Sequence, residues 1–113
     1  MAIFRMYTGD DGHSHIEELS LAEHPELTQL DPTRGVYLRT RPDERMEPHS
    51  APEHRWLVIV SGAMEMAPAN GIGGRRLVPG DIIRITDVTG TGHSTTFHDN
   101  CTFAVMPIAD EHG

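Results

Sequence analysis

Apolar residues in this chain fall in short clusters between turn residues, a pattern that suits thin β layers better than long helices. Ala2–Tyr7 has the composition of a strand, and Gly9, Asp10, Asp11 and Gly12 then supply a turn, so the chain is expected to open with an edge strand leading into a hairpin. His15–Leu21 reads as a second strand. Ala22–Thr33 carries two prolines among polar residues and reads as a loop with at most one helical turn. Beyond Gly35, Val36–Arg41 alternates, Pro42-Asp43-Glu44 breaks it, and Trp56–Val60 is a nearly continuous apolar run ending at Ser61-Gly62. Met64–Met66 continues that run, a glycine-rich tip follows, and Arg75–Val78 returns as a partner strand. Ile82–Ile85, Gly92–His98 and Thr102–Ile108 are three further strands, set apart by Pro79-Gly80-Asp81, by the glycine loop and by Asp99-Asn100. About nine or ten short strands at this spacing predict an all-β sandwich or barrel.

The length of 113 residues suits one domain, with N-terminal strands in 1–33 and a barrel over 34–108. An apolar fraction of 37% gives a modest core, and a homodimer in which the exposed N-terminal strand extends the partner's sheet is the expected remedy. A net charge of −8, from 17 acidic and 9 basic residues, argues against nucleic acid as a partner. The basic residues cluster only as Arg39, Arg41 and Arg45 and as Arg75-Arg76. No run of roughly 18 apolar residues could span a bilayer, and the opening MAIFRMYTGDD lacks a secretory h-region. Cys101 is the lone cysteine, which points to a reducing, cytoplasmic setting and excludes an internal disulfide. It has no CxxC partner, no nucleophile-elbow pattern occurs, and neither NGIGG nor TGTG has the spacing of a phosphate cradle.

The run HSAPEHRWLVIVSG from His49 to Gly62, followed by LVPGDIIRITDVTGTGH from Leu77 to His93, resembles the two signature segments of the cupin superfamily. The second segment resembles small single-domain bacterial cupins with a degenerate metal site. The resemblance covers about the C-terminal two thirds of the chain and implies a cupin-type double-stranded β-helix, a jelly-roll-like β-barrel. Such a barrel brings same-parity positions of facing strands together inside it. The family supplies three His and one Glu from these segments. His49 and His93 match the first and last His, while Ala51 stands at the second His and Arg55 at the Glu. Guanidinium is no ligand, and two imidazoles are a thin set for a catalytic ion. Glu53 and Glu47 share the strand parity of His49, and Glu53 with His49 and His93 would give a two-His, one-carboxylate site for iron, nickel, manganese, copper or zinc.

Neutral imidazole also serves as acid or base near pH 7, so His49 and His93 could act without a metal, with Arg55 either clamping an anionic substrate or pairing with Glu53 or Glu47. Tyr37 is either a pocket wall or ordinary packing, and Trp56 and His54 alternate away from the interior. His13 and His15, beside Asp10 and Asp11, form a surface cluster that is either a metal site or a solvated turn. Two function classes follow: a small-molecule enzyme inside the barrel, metal-dependent (oxygenase-, isomerase- or lyase-type) or metal-free, and a non-catalytic ligand-binding or sensing module. The resemblance itself fixes no reaction, because one fold hosts many.

Overall fold

Eight strands and one 3-10 turn make up residues 1–109, the part of the chain that the computed structural model describes. They are β1 (Ile3–Thr8), β2 (Ser14–Leu19), the turn Pro25–Thr28, β3 (Tyr37–Arg41), β4 (Glu44–His49), β5 (Arg55–Pro68), β6 (Arg75–Leu77), β7 (Ile82–Ile85) and β8 (His93–Pro107). All eight belong to one curled sheet, in which β8 runs between β5 on one side and β3 and β4 on the other. The all-β jelly-roll-like barrel expected from the sequence is the fold the chain adopts.

The sheet curls into two facing halves because adjacent strands bend at one level. Along β5 the register against β8 shifts on both sides of Ser61. The shift changes which parity faces inward: Leu57 and Ile59 are buried before it, Met64 and Met66 after it. Gly62 sits at the bend with φ +73°, and a Cβ there would lie 2.7 Å from the His98 carbonyl oxygen, so only glycine fits. On β8 the same level is occupied by Asp99 and Asn100, both at positive φ. Between β3 and β4 it is occupied by Pro42-Asp43, and the Asp43 carboxylate accepts the Asn100 N–H at 3.1 Å. The Asn100 and Asp99 amides hold the Asp43 carboxyl below its ordinary pKa, so the cap that secures the bend is ionised at neutral pH.

One half then comprises β2, β1, β7, the start of β5, the end of β8 and β3; the other comprises β6, the end of β5, the start of β8 and β4. Their inward side chains form the main core, including Phe4, Met6, Ile83, Val105 and the stacked rings of Phe97 and Phe103. Burying each such side chain contributes about 1.5–3 kcal/mol. A second, smaller cluster lies outside the first half, where Trp56, Ile3 and Ile108 are covered by Leu27 and Leu30. Trp56, 1% exposed, donates its Nε1–H to Asp31 at 3.0 Å, and Arg84 clamps the same carboxylate with two bonds. Trp56 thus packs away from the barrel interior, in the second layer its parity implied.

Several expected elements change. Trp56–Val60 and Met64–Met66 are one strand, as are Gly92–His98 and Thr102–Ile108, because a bend with intact flanking ladders reads in sequence like a turn. β4 starts at Glu44, within the expected break, since a proline before a strand removes no bond the ladder needs. The opening strand is not an edge. β1 lies between antiparallel β2 and parallel β7, and it therefore has no free edge with which to extend a partner's sheet. No helix among the described residues is long and apolar enough to cross a membrane.

Candidate active site

Between the two sheet halves lies a cavity of about 440 Å³. β4 and β8 pair with His49 opposite His93, and both imidazoles line this cavity with ring centroids 5.3 Å apart. Gly92 makes that approach possible: at φ +77° it lies so close to the end of β4 that a Cβ would fall 2.2 Å from the His49 carbonyl carbon.

His93 is 4% exposed and its Nδ1–H donates to Asp87 Oδ2 at 2.6 Å. The same oxygen accepts the Ser14 hydroxyl, also at 2.6 Å, from a side chain that is 1% exposed. Asp87 is fully buried, its backbone carbonyl accepts the Ala51 N–H, and its Oδ1 has no hydrogen-bond partner. A buried carboxylate on Nδ1 fixes the tautomer of His93 and leaves Nε2 as the ring atom available to the cavity. His49 is held in the same sense by its own Nδ1–H, which donates to the Glu47 carbonyl at 2.9 Å. Neither Nε2 is hydrogen-bonded to a described residue.

Arg55 also lines the cavity, with Nη2 on Glu53 at 2.8 Å and a buried, unpartnered Nε. Arg39 and Arg41 enter from β3, on the parity of Tyr37, which is a cavity wall. Arg41 pairs with Glu44 and lies over the Phe97 ring, whereas Arg39 makes no ion pair among the described residues and lies 5.6 Å from the Tyr37 ring centre. The rest of the lining is mostly apolar and includes Met46, Leu57, Met64, Met66, Phe97 and Phe103.

The divalent metal implied by the cupin resemblance does not fit these residues. Glu53 is outside the cavity lining and is engaged by Arg34 at 2.7 Å and by Arg55. Burial pushes its carboxyl pKa up, but the two guanidinium groups outweigh burial and hold it below its ordinary value. Glu47 is paired with Arg45 at the surface. Among the described residues no group of three His, Cys, Asp or Glu side chains is placed to hold a metal ion. The expected set of His49, His93 and Glu53 is therefore not assembled, and Arg55 brings positive charge to the same cavity. In the outer cluster, His15 bonds the Asp11 carboxylate and His13 contacts Thr91, an arrangement of turn contacts.

Of the expected catalytic residues, His49, Arg55 and His93 meet in one cavity. Sequence reasoning missed Asp87, Ser14, Arg39 and Arg41 as contributors. Asp87 had a signal, as an acidic residue six positions before a candidate His, in the loop between Ile85 and that His. Ser14 had none, because it reaches Asp87 from a strand 73 residues away.

Fold and site together define an all-β barrel protein with a cation-lined, apolar-floored internal cavity carrying two imidazoles. No protein-family model and no curated protein matches the chain. It is similar to the crystal structure of a putative mannose-6-phosphate isomerase from Ralstonia eutropha JMP134, with 16% identity, a TM-score of 0.41, and coverage of 96% of this chain and 86% of that one. A likeness at that level carries no argument about substrate, so the functional reading rests on the cavity itself.

Proposed function

We propose that the chain is a small-molecule enzyme that works without a metal, shifting a proton on an anionic substrate by histidine acid–base chemistry. The observation that carries this reading is the buried Ser14–Asp87–His93 chain of hydrogen bonds ending at the cavity. A carboxylate on Nδ1 orients an imidazole and balances the charge it takes on when Nε2 accepts a proton. His49, a ring's width away, gives the second proton carrier that an isomerase-type shift requires: one imidazole removes a proton as the other returns one. Arg55 and Arg39 orient the anion, and the apolar floor keeps water from competing for the proton.

The test is solvent-deuterium incorporation. The protein is incubated in D2O with a panel of enolisable small carboxylates and keto acids, and loss of C–H signal is followed by proton NMR. The parent should exchange at least one of them, with the rate falling about 10²- to 10⁴-fold in His93→Gln and in His49→Gln. Equal rates for the parent and both variants across the panel would sink the enzyme reading.

A further inference from the structure

The lining of the cavity selects a narrower ligand class than "anionic". This chain carries 17 acidic residues against 9 arginines, yet among the described residues no Asp or Glu lines the cavity and three arginines do. Two of those three, Arg41 and Arg55, already have Glu44 and Glu53 beside them. Arg39 has no carboxylate partner among the described residues, so the lining presents about one uncompensated positive charge, the complement of a monoanion. Its planar fork matches a carboxylate with two parallel hydrogen bonds.

The apolar part of the lining sets the rest of the ligand. Met46, Leu57, Met64, Met66, Phe97 and Phe103 offer no hydrogen bond, and apart from the imidazoles and Tyr37 the neutral polar side chains of the lining are Ser50 and Thr95. Each hydroxyl of a polyol driven onto that wall would lose its water without gaining a partner. An apolar body suits it: thioethers adapt to irregular shapes and favour aromatic edges, and the Phe97 and Phe103 rings add flat contact area.

We infer that the cavity takes a monocarboxylate with an apolar, preferably aromatic, body, and that it discriminates against sugar phosphates. This rests on the reading of the cavity as the substrate site. Isothermal titration with three probes tests it: phenylacetate, its uncharged analogue 2-phenylethanol, and glucose 6-phosphate. Phenylacetate should saturate one site per chain, with the other two at least about tenfold weaker. Arg39→Gln, at an exposed position without an ion pair among the described residues, should weaken phenylacetate about tenfold or more and leave 2-phenylethanol within about twofold. The inference is overturned if phenylacetate does not saturate in the millimolar range, if glucose 6-phosphate binds as tightly, or if Arg39→Gln changes nothing. Deuterium incorporation separates the two claims. Phenylacetate binding without exchange on any panel member removes the enzyme and keeps the ligand class, whereas, with glucose 6-phosphate added to the panel, exchange confined to it does the reverse.

Discussion

Removing His93 should damage the fold more than removing the whole polar chain that holds it. In His93→Leu the fully buried Asp87 carboxylate keeps only the Ser14 hydroxyl, and its other oxygen already lacks a partner. Removing one of two hydrogen bonds to a buried carboxylate costs about 1.5–3 kcal/mol, since the charge is left with a single donor. A chain of this length has roughly 5–15 kcal/mol in total, so the variant should retain a fraction of its stability. The triple variant Ser14→Ala, Asp87→Leu, His93→Leu replaces every member by an apolar side chain and leaves nothing to desolvate. It should fall within about 1 kcal/mol of the parent or exceed it. Urea unfolding at pH 7 reads the difference. With a slope of about 2 kcal/mol per molar, the His93→Leu midpoint drops by about 1 M while that of the triple variant stays close to the parent's. A triple variant as weak as His93→Leu, or a His93→Leu variant as stable as the parent, would refute the argument that Asp87 is a charge whose burial is tolerated through its partner. The expected result also separates stability from chemistry, because the triple variant would be folded and unable to exchange deuterium.

Two other substitutions probe how the site is framed. The Arg84 guanidinium first of all, then the Trp56 N–H, hold the Asp31 carboxyl below its ordinary pKa against a smaller opposing effect of burial. Its contribution is therefore present above the ordinary carboxylate range and is lost as pH falls through the lowered value. Asp31→Asn should cost up to about 1 kcal/mol at pH 7, modest because both partners are about one third exposed, and the gap to the parent should close as pH falls below the ordinary carboxylate range. A gap that widens on acidification contradicts the sign. Gly92→Ala forces a left-handed residue and a collision with the His49 carbonyl, so it should cost about 2 kcal/mol, lower Tm by several degrees and abolish phenylacetate binding. An alanine variant that binds like the parent would show that the close approach does not position His49.

The parts of this architecture written in short-range pattern were legible in the sequence. Ile82–Ile85 alternates between two layers and was found at its observed bounds, and the turn at Gly9–Gly12 had its glycines and aspartates. The joins were not legible. Ser61-Gly62 and Asp99-Asn100 carry the residues of chain reversal but only bend strands, because the ladder on either side outweighs the local preference. At the site, the resemblance to the cupin segments placed His49 and His93 together. It could not show that Arg34 and Arg55 take up Glu53, or that Ser14 closes on Asp87, because both depend on which distant segments the curled sheet brings into reach. Arg39 and Arg41 illustrate the same limit: as a basic cluster they argued only about nucleic acid, and β3 turns them inward.

β8 touches β3, β4 and β5, and among the described strands it is the last made. While a ribosome is extending this chain, residues 37–49 have no sheet neighbour until positions 93–107 emerge, and the long ladder of β5 stands open along one side for the same interval. Such non-local closure is slow and leaves unpaired edges available to other nascent chains. Strand β8 is therefore the clasp of the barrel as well as the carrier of His93, and the cavity comes into existence in the same event that completes the fold.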